Sequence, residues 1–135
     1  MARRARKKEP RWISRAALLA IHAAQIREHG GTPRLSDDNP IQAMLAKPRN
    51  KWAYDEDVDF AALAAAYAFG LAKNHGFMDG NKRVAFMAAY SFLGLNGYDF
   101  DADEVDVATN MERLADGKLS ERKLADWLRH GMIAR

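Results

Sequence analysis

Two apolar stretches separated by a polar turn constrain this chain more than any other feature. Phe60 to Ala72 is almost without polar side chains, and Asn81 to Asn96 carries Val84, Ala85, Phe86, Met87, Ala88, Ala89, Phe92, Leu93 and Leu95. A helix that is apolar nearly all round has to be buried on several sides. Neither stretch reaches the ~18 residues of a membrane span, because the first stops at Lys73 and the second is broken by polar residues. Both belong at the centre of a packed domain, and 135 residues with 48% hydrophobic side chains are enough to build one.

The flanking sequence reads as helices that wrap this centre. Trp12 to Glu28 places Ile13, Ala16, Ala17, Leu19, Ala20, Ala23 and Ala24 at helical spacing, and Gly30-Gly31 stops it. A polar loop with Pro33 and Pro40 leads to a short helical piece near Ile41 to Ala46, closed by Pro48. Asp55, Glu56, Asp57 and Asp59 precede the first central helix, where the dipole favours negative charge. Asp103 to Ala115 and Ser120 to Arg129 are amphipathic, with Gly117 between them and Ser120 as an N-cap. No alternating pattern is long enough for a strand, and the one place for a small hairpin is Thr32 to Asp38. The expectation is a compact all-α bundle, residues 12–135, with two central buried helices and at most a small β-hairpin flap.

Charge separates a tail from this domain. Residues 1–11 hold Arg3, Arg4, Arg6, Lys7, Lys8 and Arg11 against Glu9, a balance of +5; the net charge of +3 then leaves residues 12–135 at −2. A nucleic-acid domain carries its cations on a folded face, so nucleic acid is not the expected partner and the first eleven residues read as a solvated, flexible tail. The rival class is a non-catalytic all-α module that binds through that tail. With no cysteine, disulfides, thiol nucleophiles and cysteine zinc sites are excluded. No apolar segment follows the basic start at once, as a secretory signal requires, so a cytoplasmic protein without a membrane partner is expected.

The turn between the central helices is His75-Gly76-Phe77-Met78-Asp79-Gly80-Asn81-Lys82-Arg83. Gly80 permits a left-handed backbone and Asn81 opens a helix whose N–H groups form an anion site. Lys82 and Arg83 stand against the helix dipole, an unfavourable placement unless an anion is bound there. Asp79 is a hard oxygen ligand suited to Mg²⁺ shared with a phosphate. His75 is the side chain here whose ordinary pKa suits a general base near neutrality.

His75-x-Phe77-x-Asp79-Gly80-Asn81-Lys82-Arg83 resembles the signature of the Fic/Doc superfamily, and the lysine after the asparagine resembles its Doc toxin branch. Ile21-His22 to Gly30-Gly31, Ala46-Lys47-Pro48, Phe92-Leu93-x-Leu95-Asn96-Gly97 and Ala125-x-Trp127-Leu128 look like family segments too. The resemblance implies that His75 deprotonates a target hydroxyl and that Asp79 holds Mg²⁺. Gly80, Asn81, Lys82 and Arg83 would cradle the phosphates of ATP, and Phe77 would anchor the loop. It implies a flap near Thr32–Asp38 that aligns the target backbone as an added strand. Adenylylating members carry Gly after the Asn and a second Arg three residues after the first, where this chain has Lys82 and Phe86. Doc-like phosphoryl transfer to a cytoplasmic protein follows, with a threonine of the elongation factor that delivers aminoacyl-tRNA as the implied target and AMP transfer as the alternative. No Ser or Thr is followed four residues later by Glu, the mark of an inhibitory helix carried in the same chain. The partner implied instead is a separate antitoxin with a disordered segment that folds on binding.

Elsewhere the readings are structural. His22 reads as a hydrogen-bonded helix residue, and His29 and His130 as cations favoured at helix C-termini. Trp12, Trp52 and Trp127 read as core or rim anchors. The acids between Asp99 and Asp106 lack the Gly and terminal Glu of a calcium loop.

Overall fold

A computed structural model describes residues 8–35, 38–74 and 80–135. The described chain runs α1 (Arg15–His29), α2 (Asp38–Tyr54), α3 (Phe60–Asn74), α4 (Asn81–Leu95), β1 (Tyr98–Phe100), α5 (Glu104–Ala115), α6 (Glu121–Gly131) and β2 (Met132–Ala134). The architecture is all-α, and the two apolar stretches are the central pair. α3 buries Leu63, Ala64, Tyr67, Ala68 and Leu71, and packs against α2, α4 and α6. Its many alanines let neighbours come close: a Cβ on Gly70 would lie 2.6 Å from Met44 Cγ of α2. α4 buries Val84, Ala85, Ala88, Ala89, Phe92 and Leu93 between α3, α1 and α5. Among the described residues no helix is long and apolar enough to cross a membrane.

Side chains satisfy the first turns of four helices. Ser14 accepts from Ala17 N–H, Asp59 from Ala62 N–H, Asp103 from Val105 N–H and Ser120 from Lys123 N–H. Each meets one donor that has no partner within its helix.

Two elements differ from the sequence expectation. Pro48 does not close α2, which continues to Tyr54. A proline inside a helix removes one hydrogen bond and costs ~3 kcal/mol. Here Ile41, Met44, Leu45 and Pro48 itself are buried, so the apolar stripe runs through the proline and tertiary packing carries the helix past it. The second difference is the sheet. β1 and β2 pair antiparallel, with Tyr98 opposite Ala134, Asp99 opposite Ile133 and Phe100 opposite Met132. Three residues are too few to show alternation. The hairpin expected over Thr32–Asp38 falls partly on residues 36 and 37, outside the described residues; Leu35 makes a single β-bridge and Asp38 already belongs to α2.

The far end of α4 is fastened from two sides. Arg11 N–H donates to Asn96 Oδ1 at 2.8 Å, and Asn96 Nδ2 donates to the carbonyls of Arg11 (3.0 Å) and Phe92 (2.8 Å). Residues 8–11, grouped with the tail on charge, thus run against the domain, with Pro10 buried. From the other side, Arg135 donates to the Gly94 carbonyl at 2.6 Å and pairs with Asp99 at 3.2 Å.

Candidate active site

The opposite end of α4 is built differently. Gly80 precedes it with φ 82° and ψ 11°, a left-handed conformation that costs a side-chain-bearing residue and not glycine. A Cβ at Gly80 would make only ordinary contacts with Ile26 and His22, at 3.5 and 3.8 Å, so the sign of φ is what calls for glycine. Val84 N–H donates to the Gly80 carbonyl at 2.9 Å, the first bond of the helix. The N–H groups of Lys82 and Arg83 precede it and have no acceptor within the helix. α1 lies beneath this turn, with His22 and Ile26 both buried.

The two cations that follow are held differently. Arg83 reaches back to the end of α1, where Nη2 lies 3.5 Å from the Gly30 carbonyl, and its Nε is buried without an acceptor among the described residues. A buried donor left so costs ~1–3 kcal/mol. Lys82 reaches across to α5, where Nζ meets Glu112 Oε2 at 2.9 Å.

Between these walls lies a cleft of about 670 Å³. The α4 N-terminus lines it, Phe86, Met87, Val107 and Met111 supply apolar surface, and Gln25 and His29 come from α1. Phe86 is fixed by an aromatic cluster, with ring centroids 5.9 Å from Phe100 and 6.4 Å from Trp127. A helix N-terminus with two cations opening onto an apolar cleft is suited to a ligand with an anionic end and a flat apolar body.

The sequence pattern of the Fic/DOC family matches residues 12–93. The chain belongs to the Fic/DOC family. It is 37% identical over 120 residues to the protein kinase doc of Escherichia phage P1, covering 88% of this chain and 94% of that protein. It is 36% identical over 86 residues to the toxin Doc of Mycolicibacterium smegmatis, covering 60% of this chain and 66% of that protein. Both relatives put this Fic/DOC chain on the Doc side of the family.

In this Fic/DOC domain Gly80, Asn81, Lys82 and Arg83 come together at one helix end, on the wall of one cleft. His75, Phe77 and Asp79, read from the sequence as base, loop anchor and metal ligand, lie outside the described residues. Among the described residues no group of three or more His, Cys, Asp or Glu side chains is placed to hold a metal. Mg²⁺ shared with phosphates needs only one or two carboxylates, a requirement Asp79 meets by its chemistry. The position where adenylylating members carry a second arginine is Phe86, which packs into the aromatic cluster. Sequence reasoning missed Gln25, His29, Met111 and Glu112. Gln25 and His29 stand four apart on one face of α1, a spacing visible in the sequence, but nothing local said what that face meets.

Proposed function

We propose that the protein is a Doc-like toxin that transfers the γ-phosphoryl group of ATP to a hydroxyl of a protein. The single observation that carries this reading is the α4 N-terminus, with Lys82 and Arg83, opening onto the 670 Å³ cleft. Arg83 supports it, because its guanidinium stands on the cleft wall and carries the forked donors that match a phosphate. Gly80, Asn81, Lys82 and Arg83 hold the phosphates, and the nucleoside lies along Phe86, Met87 and Met111. His75 takes the proton from the target hydroxyl, whose oxygen forms a bond to the γ-phosphorus. The bond from that phosphorus to the β,γ-bridging oxygen breaks, and ADP leaves. Mg²⁺, which Asp79 would hold, neutralises phosphate charge when bound. The implied target is a threonine of a translation elongation factor.

The names of the relatives, one a kinase and one a toxin, support both halves of the reading. Lacking an inhibitory Ser/Thr…Glu helix of its own, the protein is restrained by a separate antitoxin with a disordered segment. The test is incubation with cell lysate and γ-labelled ATP beside growth of a host expressing the protein alone. Wild type labels a protein and arrests growth, while His75→Ala loses about 10²–10⁴-fold in transfer and does not arrest. Label arriving from α-labelled ATP instead would assign AMP transfer, and harmless expression of wild type alone would count against the toxin reading.

A further inference from the structure

Lys82 and Glu112 each stand at the unfavourable end of their own helix. A lysine in the first turn of α4 opposes the dipole there, and a glutamate in the last turn of α5 does the same at the other pole. Neither residue improves its helix, yet the two meet across the cleft at 2.9 Å. Their side chains are 49% and 59% exposed, and an ion pair so open to water adds little to folding stability. Glu112 is nevertheless held in place, because Met111 and Leu114 on the same helix are buried and fix its position on the wall.

The geometry points to Glu112 as a positioning residue that acts through Lys82. It serves as a built-in counter-anion, holds the lysine on the α5 wall, and is displaced when a phosphate chain enters. The inference rests on reading the α4 N-terminus as a phosphate site. An entering polyphosphate must take Lys82 away from Glu112, and this weakens binding in proportion to the negative charge on Glu112. Direct repulsion from so exposed a carboxylate is screened by salt and adds little. The glutamate therefore sets how much phosphate is needed to occupy the cleft, and keeps Lys82 neutralised until that concentration is reached.

The test is calorimetric titration of the full chain with inorganic tripolyphosphate, for wild type, Glu112→Gln, Lys82→Gln and the double variant. Glutamine keeps the size and helix propensity of the glutamate and removes its charge. Glu112→Gln binds about five-fold more tightly than wild type, the upper range for an exposed ion pair. In the Lys82→Gln background the same change has less than about a two-fold effect. A contact that only steadied the fold would instead lower the melting temperature of Glu112→Gln and leave its affinity unaltered. Equal affinity of wild type and Glu112→Gln, or an undiminished effect without Lys82, overturns the inference while the phosphoryl-transfer reading stands. Absence of tripolyphosphate binding in every variant overturns both. Tighter binding by Glu112→Gln that fades without Lys82 upholds the inference whichever phosphate of ATP is later found on the target.

Discussion

Asp59 joins two helices through one carboxylate. Its Oδ1 accepts from Ala62 N–H at 2.9 Å and from Arg129 Nη2 at 3.0 Å, and its Oδ2 accepts from Arg129 Nε at 2.7 Å. Hydrogen bonding to Arg129 is the main cause that holds the Asp59 carboxyl below its ordinary value of 3.8, with burial opposing it. Because the folded value is the lower one, the linked stability is present above the ordinary carboxylate range. It is lost as the pH falls through the folded value. Asp59→Asn keeps an oxygen for the cap and loses the ion pair. With about two-fifths of the side chain in water, the loss at neutral pH is below about 1 kcal/mol. Urea unfolding of the two proteins should differ at neutral pH and converge in acid, where wild type is protonated as well. A gap of unchanged size in acid would mean that the pair contributes nothing through its charge.

α3 and α4 were legible because all-round apolar sequence admits only one environment, whereas α2 ran on through Pro48 for reasons that live in its packing. β1 and β2 were not legible, since each is only three residues long and their pairing depends on a contact between distant parts of the chain. Gly131 shows that dependence. A Cβ there would fall 2.4 Å from Phe100 Cε1 and 2.9 Å from the Asp101 carbonyl, so the end of α6 meets β1 only through a bare backbone. Gly131→Ala should force the two apart at about 1–3 kcal/mol, the range for overpacked sites. Chemical denaturation measures it, and a stability within error of wild type would show that β1 yields freely. The candidate site was legible in part. The residues from Gly80 to Arg83 announced an anion site by charge and glycine placement, while the α1 and α5 walls of the cleft came only from the fold.

At the scale of the molecule, the chain closes on its own core through one buried hydroxyl. Ile13 N–H donates to Tyr67 Oη at 3.1 Å, in the middle of α3, and both residues are buried. Burial pushes the Tyr67 phenol up from its ordinary value, the Ile13 bond opposing it, so this oxygen stays neutral across the working range. Tyr67→Phe keeps the ring and leaves the amide without its acceptor, at about 1–3 kcal/mol. Hydrogen exchange at Ile13 should quicken with it; unchanged protection would show that the segment before α1 is held by packing alone. Arg11 and Arg135 fasten the same end of α4, and the Gly80 turn on the cleft wall lies at the other, about 22 Å away along a helix of 15 residues. A bead or sensor surface linked through residue 135 would grip the protein by its anchored pole and leave the Gly80 end of α4 at the far side. Tension applied between residues 8 and 135 would be borne by the seam around Asn96 before it reached Gly80.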